Sequence, residues 1–68
     1  MVISEKIKVM LGRRGLTVTD FAKRLHLSRQ SVTKKLKENS FTTKELQEIS
    51  GILDCEIVVV FIDNGEKL

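Results

Sequence analysis

Six consecutive apolar residues, Ile57 to Ile62, stand near the end of a chain whose earlier part reads as helix. The run is mostly β-branched, with Asp54 before it and Asp63-Asn64-Gly65 after it, so it predicts a strand over residues 56–62 closed by a turn. Ile57, Val59 and Phe61 fall on one face, and Val58, Val60 and Ile62 on the other. A strand apolar on both faces needs cover on both, and its backbone donors and acceptors need partners. The other strand candidate in the chain is the stub Met1-Val2-Ile3, which is very short. A second copy of the same strand is the alternative. Left bare, such an edge is an aggregation hazard.

Size weighs on that choice. A chain of 68 residues makes one domain, spanning 1–68. A domain of that length buries only about 60% of its unfolded surface. Small scaffolds of this kind rely on a disulfide, a metal or a partner chain. One cysteine, Cys55, excludes an internal disulfide, and one histidine, His26, with it excludes the usual four-ligand zinc site. A partner chain remains. The strand is therefore expected to pair with its copy, making Ile57, Val58, Val59, Val60, Phe61 and Ile62 the homodimer interface. Cys55 reads as a small apolar group in a reducing compartment.

An apolar share of 41% with 31% charged residues is globular rather than disordered. No run approaches the ~20 apolar residues of a membrane span. The start, MVISEKIK, carries no apolar signal core, so a cytoplasmic location is expected. No nucleophile–base pair, paired carboxylates, metal cluster or glycine-rich phosphate loop can be assembled from this inventory, so the chain is not expected to be an enzyme. No catalytic residue, cofactor, metal or small-molecule ligand is expected.

Charge is unevenly spread. Residues 1–39 carry ten Lys or Arg against three acidic residues, a net of +7, and residues 40–68 carry two against six, a net of −4. A basic stretch joined to an acidic one separates a polyanion-binding part from a part with another task.

Four helices read out of the apolar spacing. Ile3, Ile7, Met10 and Leu11 predict the first over about 4–14, with Ser4 a candidate cap and Gly15 the stop. Thr17 with Asp20 caps the second, about 18–25, whose inner stripe is Phe21, Ala22 and Leu25. Ser28 caps the third, about 29–37, with Val32 and Leu36 inward. Thr42-Thr43-Lys44-Glu45 is a capping box for the fourth, about 43–53, burying Leu46, Ile49, Ile52 and Leu53. The fold class is thus mostly α: four helices and one C-terminal strand.

Residues 17–37 are two short helices around a tight turn, with small Ala22 where they cross and Val32 packing back. Leu16-Thr17-Val18-Thr19-Asp20-Phe21-Ala22-Lys23-Arg24-Leu25, with Leu27-Ser28-Arg29-Gln30-Ser31-Val32, resembles the Cro/repressor-like, or Xre-type, helix-turn-helix family. The resemblance covers residues 4–54 well and the strand more loosely. It implies a repressor-like regulator that binds double-stranded DNA as a homodimer. His26 stands where the family usually has glycine, Val18 where it often has glutamine, and the last inward residue of the third helix falls at Leu36 rather than at Lys35. A left-handed turn residue suits glycine, and histidine tolerates that conformation better than most.

A helical wheel reaches the same place. With Val32 and Leu36 inward, Arg29, Gln30, Thr33 and Lys34 face outward as candidate base contacts. Lys35 and Lys37 are candidate phosphate contacts, as are Ser28, Ser31, Thr17 and Thr19 at the helix starts. The competing expectation is a protein-interaction module on the same scaffold, such as an antitoxin-like or adaptor protein.

Overall fold

The computed structural model describes residues 3–63 and 65–67. In chain order they form α1 (Ile3–Arg13), α2 (Val18–Arg24), α3 (Arg29–Glu38), α4 (Thr43–Ile52), β1 (Ile62–Asp63) and β2 (Glu66–Lys67). The helices start where their caps dictate. The Thr17 hydroxyl accepts from the Asp20 amide, and the Asp20 carboxylate accepts from the Thr17 amide at 3.0 Å. Thr42 and Glu45 repeat that reciprocal box at the head of α4, and Ser28 accepts from the Ser31 amide at the head of α3. Each box satisfies donors that have no acceptor inside the helix.

The head of α1 differs from expectation. Ser4 is not a cap but a buried residue within the helix. Its amide donates to the Asn39 side-chain oxygen at 3.0 Å, across 35 residues of sequence. The turn after α3 thus supplies an acceptor for the first turn of α1.

All four helices stop in the same way. Leu16, Leu27, Ser40 and Cys55 each donate their amide to a carbonyl five residues back, at Leu11, Ala22, Lys35 and Ser50. The residue just before each donor is left-handed: Gly15 (φ 65°), His26 (58°), Asn39 (53°) and Asp54 (49°). This closure satisfies carbonyls the helix leaves open, and it normally employs glycine. Here glycine serves once in four. His26 takes the conformation expected of it.

Ile7 and Leu11 of α1, Phe21 and Ala22 of α2, Leu25 at the end of α2, Val32 and Leu36 of α3, Ile49 of α4 and Leu53 at its end form the core, with Phe21, Val32 and Ile49 wholly enclosed. Leu46 and Ile52 are half-buried around this core rather than within it. Leu36 is buried and Lys35 half-buried, which fixes the rotation of α3 about its axis.

The strand expected over 56–62 is corrected. Residues 55–61 are neither helical nor joined in a ladder. Only Ile62 of that run is in a strand, and β1 pairs antiparallel with β2, Ile62 opposite Lys67 and Asp63 opposite Glu66, through a turn at Gly65. The physical reason is the partner: the helical body offers this segment no sheet edge. Ile3 belongs to α1, and Met1 and Val2 of the proposed stub lie outside the described residues. Ile57 packs half-buried against the core, while Val58, Val59, Val60, Phe61 and Ile62 are each more than half exposed. The molecule measures 40 × 22 × 19 Å with a radius of gyration of 12.9 Å. A compact chain of this length has about 11 Å.

Candidate nucleic-acid interface

The turn at His26 and Leu27 sets α3 against α2, with Ala22 small and buried between them. Val32 and Leu36 anchor α3 inward, so its other side is left to solvent. On that side Arg29, Gln30, Thr33, Lys34 and Lys37 line one shallow, open face together with Ser28 and Glu38. The expected base contacts and two of the expected phosphate contacts are thus brought together. Glu38 escaped the sequence reading although the wheel held it, four residues beyond Lys34 on the same stripe. It places an anion at the C-terminal end of a face whose cations are Arg29, Lys34 and Lys37.

Other expected residues lie apart from this face. Lys35 is half-buried and its ammonium pairs with Glu45 of α4 at 3.1 Å. Thr17, Thr19 and Ser31 are exposed near the heads of α2 and α3. The Thr17 hydroxyl is held by Asp20, and Ser28 donates to the Ser31 hydroxyl at 2.9 Å. These caps occupy the third amide of each helix, while the first two amides of a helix have no acceptor within it. At α3 those amides belong to Arg29 and Gln30. The positive end of the helix therefore coincides with the side chains best suited to bases.

Two acidic groups are held in their charged form by local hydrogen bonds. The Asp20 carboxyl is held below its ordinary range by the Thr17 amide and then by the Thr17 hydroxyl. Glu45 is held low chiefly by the Thr42 amide, with Lys35 adding to it against partial desolvation. One cation is tied to backbone carbonyls. Arg14 Nε donates to the Leu53 carbonyl at 2.8 Å and Nη2 to the Asp54 carbonyl at 3.3 Å, closing the end of α4. Sequence order had counted Arg14 with the basic stretch, because its acceptors lie about forty residues further on.

A short helix, a tight left-handed turn and a second helix with an exposed basic face constitute a DNA-binding helix-turn-helix domain. Residues 6–58 match the Cro/C1-type HTH DNA-binding domain family, and the chain belongs to that family. The match takes in the whole core and the first residues of the extended arm. No curated protein and no solved structure matches the chain. Among the described residues no helix is long and apolar enough to cross a membrane.

Proposed function

We propose that this protein is a sequence-specific transcription regulator of the repressor kind, reading the major groove with α3. The observation that carries the reading is the shared exposed face of Arg29, Gln30, Thr33 and Lys34 at the N-terminal end of α3. Arginine and lysine bond guanine edges, glutamine bonds adenine in bidentate fashion, and a threonine methyl meets that of thymine. Lys37, Ser28, Ser31, Thr17 and Thr19 serve the backbone phosphates, which add affinity without reading sequence. Lys35 joins them only by releasing Glu45, so its share is smaller. Two chains joined through residues 57–62 present two α3 helices about 34 Å apart, one turn of duplex.

The test is selection of bound sequences from random duplex DNA at a fixed salt concentration, followed by alanine variants on the selected site. Arg29→Ala and Gln30→Ala should each relax preference at one position per half-site, by about 1–3 kcal/mol. Lys37→Ala should weaken all sequences alike and lower the salt dependence by about one phosphate. Full discrimination retained by both Arg29→Ala and Gln30→Ala would remove α3 as the reader. Failure to bind any duplex at low salt would favour the protein-interaction module.

A further inference from the structure

We propose that Asn39 is a positioning residue for DNA reading: by accepting the Ser4 amide it fixes the tail of α3, and with it Lys34 and Lys37, to the head of α1. This rests on the reading of DNA by α3 and names a residue off the reading face on which it depends. The helix is held unevenly along its length. Its head is fixed by the Ser28 cap and by Leu25 and Leu27, which pack on the core to either side of the turn. Its middle is fixed by Val32 and Leu36, both buried. Beyond Leu36 that packing stops. Residues 37 to 40 are all exposed, and the next side chain against the core is Phe41. Yet the last turn of α3 carries Lys37 and Glu38 of the open face.

Asn39 makes up the difference. Its amide donates to the Lys35 carbonyl, and its left-handed backbone closes the helix. Its side-chain oxygen accepts the Ser4 amide at 3.0 Å, in a part-buried setting. One residue thus ends α3 and ties it to another helix. The buried Ser4 hydroxyl has no hydrogen-bond partner among the described residues, so the Ser4 amide carries the tie. A rod pinned at one end moves most at the other. With ten residues at ~1.5 Å each, α3 is about 15 Å long. Releasing its tail therefore displaces Lys34 and Lys37 more than Arg29 and Gln30. Hydrogen bonds to base edges weaken steeply with misalignment, so a small swing is enough to lose one.

The experiment is titration of the full chain with the selected duplex and its single-base variants, at one salt concentration. The temperature is one at which circular dichroism shows every variant folded. Arg29→Ala, Gln30→Ala and Lys34→Ala first assign the base position that each side chain reads. Asn39→Gly keeps the left-handed turn and removes the acceptor. It should lose discrimination about tenfold at the Lys34 position, as for one base contact, and keep the preferences set by Arg29 and Gln30. Asn39→Asp keeps an acceptor in place, and should keep the discrimination while its charge weakens all sequences alike. Ser4→Ala keeps the amide and should bind as the wild type does. Hydrogen exchange at the Ser4 amide, followed without DNA, should be faster in Asn39→Gly and remain slow in Asn39→Asp. Discrimination unchanged in Asn39→Gly, or weakened equally at every position, would overturn the positioning role. So would an Asn39→Asp protein no better than Asn39→Gly, or lost discrimination in Ser4→Ala. If the three alanine variants on α3 leave every preference intact, α3 is not the reader and the positioning role falls with it. Exchange at Ser4 would then still show whether Asn39 holds the two helices together.

Discussion

His26 and Asn39 share one backbone conformation and owe it to opposite causes. Both are left-handed, at φ 58° and 53°, where a side chain costs on the order of 1 kcal/mol that glycine avoids. The imidazole of His26 is exposed, and no hydrogen bond holds it among the described residues. His26→Gly should therefore stabilise the fold, by up to about 1 kcal/mol after the added freedom of the unfolded chain is counted. Asn39 repays its strain through its side chain, which accepts the Ser4 amide in a part-buried setting. Asn39→Gly relieves the same strain but strips that cap, and should destabilise by about 1 kcal/mol. Urea unfolding of the two variants checks this, and a gain in both would show that the Asn39 cap is worth less than the strain it carries. His26 was legible as a turn residue because the evidence is local. The bond from Ser4 to Asn39 was not, since it depends on where α3 ends relative to α1.

At the level of elements, what was legible is what short spacing determines. The boxes Thr17–Asp20 and Thr42–Glu45 mark helix starts within four residues, and α2 and α4 begin where those boxes put them. The Lys35–Glu45 pair joins α3 to α4 across ten residues and could not be read from a wheel of either helix. It makes the junction sensitive to acid. Glu45 binds its proton less tightly in the folded chain than in the unfolded one, because its charged form accepts from the Thr42 amide and from Lys35. Its contribution to stability is therefore complete above the ordinary carboxylate range, about 4, and is lost as pH falls through the lower folded value. Asp20 acts in the same direction at the head of α2. Thermal unfolding from pH 7 down to about pH 3 should show the midpoint falling most steeply below about pH 4. Glu45→Gln should lower the midpoint at pH 7 and flatten part of that acid slope. An unchanged slope in Glu45→Gln would mean that the carboxylate does not couple α3 to α4.

For the whole molecule, the misreading of residues 56–62 has a thermodynamic cause. Their pattern is that of a strand, but a strand exists only with a ladder partner, and the described chain supplies one only from Ile62 onward. Five large apolar side chains, Val58 to Ile62, remain more than half exposed on a small domain with a nine-residue core. Pairing two such arms antiparallel would complete the missing ladder, cover part of both faces and turn two α3 helices toward one side of the duplex. The second half-site contact then becomes intramolecular, raising affinity with no new contact to DNA. Val59 lies near the middle of the arm, where an antiparallel pairing about a two-fold axis sets it close to its own copy. Val59→Lys places two like charges together there and removes apolar cover, and should yield a monomer with little affinity for a palindromic operator. Val59→Ile keeps the shape and the β-branch, and should be tolerated. Scattering mass at tens of micromolar, with operator binding measured on the same samples, decides the matter. A monomer that still bound the palindrome tightly would detach DNA affinity from the arm and leave residues 57–62 to some other partner.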